Sequence, residues 1–218
     1  MPIPALMAGW QRFRAGRFRD QRVLFERITR DGQRPRVAMV ACCDSRVDPA
    51  IVFDCDPGDL FVVRNVANLV PPSEQSGNYH GTSAALEFAV SVLDVRHVVV
   101  FGHSQCGGIR ALLEGPGAAS AMPFLSSWMS LAAEARSAAL AAKSLSLAER
   151  ATLCERLAIR LSVRNLHTFP GVQDRVRKGA LRLHGWHFDL QDGVLTVLDE
   201  ASNRFVPVEG ESPPEAAS

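Results

Sequence analysis

The chain predicts an α/β fold: a mostly parallel central sheet of about four parallel strands plus an antiparallel C-terminal strand or hairpin, flanked by helices, with an N-terminal helical arm. Three observations predict it. Residues 37–42 and 98–101 are short apolar runs with β-branched residues, the pattern of strands buried on both faces. Helical patterns separate these runs, and the intervals are long enough for crossovers between parallel strands. Reactive residues crowd the C-terminal ends of the runs, where open α/β sheets place their ligands.

Each element has its own warrant. Residues 3–29 read as helical, because Leu6, Trp10, Phe13, Phe18, Phe25 and Ile28 recur at three-to-four spacing around a break near Gly16. Gly32 and Pro35 punctuate the passage into the first strand, Arg36 to Cys42. Asp48-Pro49 predicts a capped short helix, and Asp56-Pro57-Gly58-Asp59 a turn before a second buried strand, Leu60 to Arg64. The polar stretch from Asn65 to Gly81 is long enough to imply a functional loop. Thr82 to Leu93 predicts a helix, His97 to Phe101 the third strand, and Ile109 to Glu114 a helix opened by Gly107-Gly108. An Ala-rich helix over 123–143 precedes Ser146-Leu147-Ala148-Glu149, a capping box. That box starts an amphipathic helix carrying Leu153, Leu157 and Leu161 and running to about His167. After a short helix near Val172 to Arg177, residues 180–190 and 194–198 predict a hairpin around Asp192-Gly193. The Pro/Glu/Ser/Ala tail over 209–218 predicts disorder, leaving a single domain over 1–208.

Composition excludes several function classes. Twenty-four basic and 23 acidic residues leave a net charge of +1, without the footprint of a nucleic-acid binder or an anionic-membrane binder. The Arg-rich stretch from Arg12 to Arg36 is interspersed with Asp20, Glu26 and Asp31, which reads as a solvated face or a subunit contact. No apolar run reaches the length of a membrane span. Five cysteines are too few and too scattered for a secreted disulfide framework, so a reduced, cytoplasmic protein is expected.

The chemistry gathers at two strand ends. The first run closes in Cys42-Cys43-Asp44-Ser45-Arg46, the second in His103-Ser104-Gln105-Cys106-Gly107-Gly108. Cys42, His103 and Cys106 make a two-sulfur, one-nitrogen set suited to zinc, and three protein ligands suit a catalytic rather than a closed structural site. Cys43 points away from Cys42 on a strand, so it reads with Cys55 and Cys154 as a plain thiol. Cys106 falls at the start of a helix, where free N–H groups should lower its thiol pKa. Glycines at 107 and 108 allow close backbone approach to the metal. Asp44 stands where a carboxylate could orient a metal-activated water, with Arg46 two residues on to hold it by a bidentate pair.

These two motifs, with the intervening Phe61-Val62-Val63-Arg64-Asn65-Val66-Ala67-Asn68-Leu69-Val70-Pro71-Pro72, resemble the signature of the β-class carbonic anhydrases. The resemblance runs from about Leu6 to Val208. It implies zinc-dependent, reversible hydration of carbon dioxide to bicarbonate and a proton, with one Zn2+ per chain on Cys42, His103 and Cys106 and hydroxide at the fourth position. Asp44 and Arg46 would be the catalytic dyad. The resemblance is closer to the plant-type branch, in which Gln33, Phe61 and Phe88 would line the substrate pocket with Gly107, although that branch often has Tyr where Phe88 stands. The resemblance further implies a homodimer or homotetramer, with residues 1–30 embracing a partner subunit and the pocket at the interface. A second branch of the family has a regulatory bicarbonate site built from Trp, Arg and Tyr; here Met39 takes the Trp place, His187 the Tyr place, and only Arg64 remains. An enzyme without that switch is expected. His80, in the polar loop, is a candidate proton acceptor. Carbonyl sulfide or carbon disulfide hydrolysis on the same scaffold, and a non-catalytic zinc or thiol-redox role, are the alternatives.

Overall fold

A computed structural model describes residues 1–74, 80–115 and 122–208, so the predicted disordered tail lies outside the described residues. Six strands form one sheet: β1 (Val37–Cys42), β2 (Leu60–Asn65), β3 (His97–His103), β4 (Arg182–Phe188), β5 (Leu195–Asp199) and β6 (Arg204–Pro207). Their spatial order is β2-β1-β3-β4-β5-β6. The first four are parallel and the last two antiparallel. The predicted hairpin is therefore β4 and β5, with β4 also completing the parallel set. The short β6 was not foreseen, since Arg204-Phe205-Val206-Pro207 carries little alternation.

Position in the sheet explains the residues of each strand. β1 and β3 lie in the middle and are buried along almost their whole length. β2 was expected to be buried but is the sheet edge, and Val62 and Arg64 are exposed along it. Pairing alternates side chains between two faces. Ala38, Val40, Val98, Val100 and Leu183 share one face with Leu86, Ile159, Leu166 and Val172 from the covering helices. Met39, Ala41, Val99 and Phe101 share the other with Val47, Phe53 and Trp186.

Helix α9 (Leu147–Leu166) packs across β3 and β4, and its capping box is formed as predicted by Ser146 and Glu149. Its buried residues are Cys154, Glu155, Ala158, Ile159, Ser162 and Leu166, one position round the helix from the predicted leucine stripe. Leu157 and Leu161 pack instead against the helices α6 (Gly107–Glu114), α7 (Pro123–Met129) and α8 (Ala133–Ala141). The close approach of α9 to the sheet needs two glycines. A Cβ on Gly102 would lie 2.7 Å from Ile159 Cδ1, and one on Gly185 would lie 2.8 Å from Ile159 Cγ2. The Ala-rich region is not one helix, because a 3-10 turn over Ser130–Ala132 separates α7 from α8.

The remaining helices follow the sequence signals. α4 (Pro49–Val52) starts at Asp48, whose carboxylate accepts from the Ala50 N–H at 3.0 Å. α5 (Gly81–Glu87) runs into a π turn over Phe88–Val92, and α10 (Pro170–Arg177) precedes β4. The predicted break at Gly16 separates α1 (Ile3–Ala15) from α2 (Arg17–Asp20), and a second break at Gln21, not expected from the sequence, starts α3 (Arg22–Asp31). None of these three buries a residue. Phe13, Phe18 and Phe25 cluster at 4.8 to 6.0 Å between ring centroids, while Ile3, Leu6, Met7 and Trp10 face outward.

Candidate metal centre

β1 and β3 are adjacent and parallel, with Ala41 opposite Phe101. Their C-terminal ends therefore deliver Cys42 and His103 side by side, and the turn after β3 returns Cys106 to them. Gln105 makes that turn with φ of 58°, in the left-handed region. The donor atoms of Cys42, His103 and Cys106 all lie within 4.8 Å of one another, and all three residues are buried. The two sulfurs are 3.9 Å apart.

The imidazole is aimed. His103 Nδ1 bonds the Ser104 carbonyl at 2.8 Å, which places the proton on Nδ1 because a carbonyl only accepts. Nε2 is then left with its lone pair and is a buried nitrogen without a hydrogen-bond partner. A polar atom orphaned in the interior costs stability unless something is to be bound there. Ser104 is anchored in turn, its hydroxyl accepting from the Leu190 N–H at 2.8 Å. Two soft sulfurs and this lone pair fit a zinc ion.

The thiols behave as a coupled pair. The hydrogen bond from Cys106 holds Cys42 well below the ordinary thiol range. The same bond, reinforced by burial, pushes Cys106 up. Cys106 sits at the N-cap of α6, the position from which its acidity was expected. Cys43 is exposed, Cys154 is buried in the same cluster as Cys42 and Cys106 but is not part of the donor set, and all five cysteines are free.

Asp44 and Arg46 form the anticipated pair. Arg46 donates from Nε to Oδ1 at 3.0 Å and from Nη2 to Oδ2 at 2.8 Å, and its backbone N–H adds a third bond to Oδ1 at 3.0 Å. These bonds hold the carboxyl well below the usual carboxylate range. Nη2 also donates to the Gln105 carbonyl, tying the dyad to the turn that carries Cys106. Asp44 Oδ2 stands 3.9 Å from His103 Nε2, at the mouth of the ligand set.

Arg64 was expected only as the remnant of a bicarbonate site. It clasps the same loop, donating to the carbonyls of Cys42, Asp44 and Val47 and to the Asp48 carboxylate at 2.7 to 3.0 Å. The place assigned to His187 needs correction. Gly102 pairs with His187 and Phe101 with Trp186, so alternation puts Trp186 on the Met39 face and His187 on the opposite one. His187 instead bonds Glu155 at 3.0 Å. Glu155 was missed altogether; its signal was a carboxylate inside the buried stripe Cys154, Ala158, Ile159, Ser162.

The residues expected to line the pocket do not gather around the donor set of the single chain. Phe61 and Phe88 pack at 6.0 Å between centroids. Phe61 pairs with Ala38, however, four residues before the Cys42–Asn65 pair, which is about 13 Å along the strand. Gln33 is exposed in the segment leading into β1, at the opposite end of that strand from Cys42. At Gly107 an added Cβ would meet open space, whereas at Gly108 it would lie 2.8 Å from Val66 Cγ1. The second glycine thus serves packing and the first leaves room beside Cys106. His80 lines a cavity of 740 Å³ with Asn65, Val66 and Trp128.

A mostly parallel α/β sheet here presents two thiols, an aimed imidazole and a fixed carboxylate at its carboxyl edge, a set that could hold a catalytic metal ion. Comparison with known proteins gives the family. The sequence profile described as carbonic anhydrase matches residues 37–195. A carbonic anhydrase of Synechocystis sp. is 34% identical over 204 residues, covering 92% of this chain and 73% of the relative. Beta carbonic anhydrase 5, chloroplastic, of Arabidopsis thaliana is 38% identical over 183 residues, covering 83% of this chain and 60% of that protein. The solved structure of the β-carbonic anhydrase CcaA superposes with a TM-score of 0.89 at 32% identity, covering 96% and 93% of the two chains. One of two β-carbonic anhydrases of Sordaria macrospora, described as tetrameric, gives 0.78 at 26% identity, covering 89% and 95%. The chain belongs to the carbonic anhydrase family, within its β class, and so to the lyases. Among the described residues no helix is long and apolar enough to cross a membrane.

Proposed function

We propose that the protein catalyses the reversible hydration of carbon dioxide to bicarbonate and a proton with one zinc ion per chain. The observation that carries this reading is the orphaned His103 Nε2 converging with two buried sulfurs, 3.9 Å from a carboxylate that Arg46 holds in place. Cys42, His103 and Cys106 would hold the zinc, which when bound supplies the Lewis acidity that makes water a nucleophile near neutral pH. Asp44 accepts a hydrogen bond from the attacking water and so turns its lone pair towards the substrate carbon. Arg46 occupies both oxygens of Asp44 and keeps that carboxylate out of the ligand set. Gly107 gives the substrate space, and the free N–H groups at the start of α6 can donate to a bicarbonate oxygen.

A second copy of the chain completes the pocket in this reading. Gln33, Phe61 and Phe88 are too far from their own ligand set to serve it, and Phe88 is 42% exposed in the single chain. Delivered from a partner, the two rings offer an apolar wall and Gln33 a donor for a bicarbonate oxygen. The arm over residues 1–30, with its outward apolar face, packs on that partner, and residues 1–208 act as one domain. A dimer or tetramer follows, in keeping with the relative described as tetrameric. Five free cysteines, two of them needed reduced, fit a cytoplasmic location.

Stopped-flow carbon dioxide hydration by the zinc-loaded protein tests the reading, with Cys106→Ala as control. Rapid turnover with one zinc per wild-type chain, and loss of both in the variant, is expected. A zinc-loaded wild-type protein that leaves carbon dioxide untouched, or that turns over carbonyl sulfide alone, would overturn it.

A further inference from the structure

Behind the ligand set lies a buried polar relay that the reaction as described does not use. Glu155 sits in the middle of α9, 3% exposed, among Cys154, Ala158 and Ile159. Burying a carboxylate among apolar neighbours is costly unless both oxygens are paired. Both are. Oε1 accepts the backbone N–H of Cys106 at 3.1 Å, and Oε2 accepts from His187 Nε2 at 3.0 Å. The next strand steadies the histidine, since the Thr196 hydroxyl donates to the His187 carbonyl at 3.2 Å. α9, β4 and β5 thus converge through one carboxylate on the main chain of a single metal ligand.

Cys106 needs that hold. It stands between the left-handed turn at Gln105 and the first residue of α6, and has left the sheet ladder without yet entering the helix. Its N–H finds its acceptor in Glu155 rather than in either element. Cys42 and His103, by contrast, end strands that are paired along their length.

We propose that Glu155 is a positioning residue for the metal centre: it fixes the main chain at Cys106, so that its sulfur faces Cys42 and His103, with His187 holding the carboxylate in register. This rests on the zinc reading above and extends it beyond the ligands and the Asp44–Arg46 pair. What matters is the accepted hydrogen bond. Glutamine at 155 retains an acceptor for the Cys106 N–H and can donate its amide to His187 in the other tautomer. Leucine fills the same space and leaves the N–H without a partner.

The test compares wild type, Glu155→Gln and Glu155→Leu by zinc titration against a competing chelator and by the thiolate-to-metal absorption of the cobalt-substituted proteins, with circular dichroism confirming the fold. Glu155→Leu should bind zinc about 10- to 100-fold more weakly, the usual cost of removing an outer partner of a ligand, with an altered cobalt spectrum and reduced kcat at little-changed KM. Glu155→Gln should restore affinity and spectrum to near wild type, a rescue that loss of packing alone would not produce. If Glu155→Leu folds and binds zinc with wild-type affinity and spectrum, or if Glu155→Gln is as impaired as Glu155→Leu, the positioning role is wrong. If Glu155→Leu does not fold, the glutamine variant decides alone: wild-type affinity and spectrum support the role, and loss of either overturns it. Zinc binding and carbon dioxide turnover by the wild-type protein separate failure of this role from failure of the enzymatic reading.

Discussion

Asp44 carries the sharpest prediction at the scale of residues. Its two oxygens are oriented by three hydrogen bonds from Arg46 and lie beside the ligand set without joining it. Asp44→Asn keeps the shape but presents an amide where an acceptor is required. It should lower kcat for carbon dioxide hydration by about 10²- to 10⁴-fold, the range for losing a positioned proton-handling group, while zinc content stays at one per chain. Near-wild-type turnover in stopped flow would remove Asp44 from the mechanism. Arg64 and Met39 carry a second expectation. Met39 is packed among Ala41, Val99 and Phe101, and Arg64 donates to the Cys42–Asp48 loop, which supports the expectation of an enzyme without the bicarbonate switch. Bicarbonate should inhibit without cooperativity; a sigmoidal inhibition curve would show that a regulatory site persists.

At the scale of elements, the approach of α9 to the sheet decides whether the site is assembled. Gly185→Ala drives a methyl to within 2.8 Å of Ile159 and should cost about 1–3 kcal/mol of stability, the range for overpacking. Adding Ile159→Ala to that variant should recover part of the loss in a double-mutant cycle measured by denaturant unfolding, and strictly additive losses would contradict the contact. Where β3 and β4 begin, His97 Nδ1 and His184 Nε2 are 3.0 Å apart. Burial, then the neighbouring His97, holds His184 below the ordinary histidine value. The folded state therefore resists a proton that the unfolded chain accepts, so this contribution is complete above about pH 6.5 and is lost as pH falls below it. Thermal unfolding of His184→Gln should depend less steeply on pH between 7 and 5 than that of wild type, and equal slopes would count against the pair. The same elements show what the sequence made legible. Caps and punctuation were local and readable: Asp48, the Ser146–Glu149 box and Gly16 each did what their residue types dictate. The cluster of Cys42, His103 and Cys106 was readable because each closes an apolar run or follows it within three residues. The buried face of α9 was not, since Gly102 and Gly185 on other strands choose it, and Glu155 went unnoticed for the same reason. His187 was misplaced because its face depends on pairing with β3, which no local pattern records.

At the scale of the molecule, the single chain exposes apolar surface its core has no use for. Trp10 is 51% exposed on an arm that buries nothing, and the rings expected beside the substrate stand about 13 Å along the strand from the ligands of their own chain. Sedimentation should find dimers or tetramers. If the pocket is composite as proposed, Trp10→Glu should shift the population towards monomers and lower carbon dioxide hydration with the zinc still bound, because Cys42, His103 and Cys106 all come from one chain. A fully active monomer would contradict a composite pocket. The expectations about turnover rest on one coordination sphere, and X-ray absorption at the zinc edge reads it most directly. Two sulfurs at about 2.3 Å with two nitrogen or oxygen neighbours at about 2.0–2.1 Å, one of them not from the protein, are the predicted result; a third sulfur, or a sphere unchanged in Cys106→Ala, would contradict it.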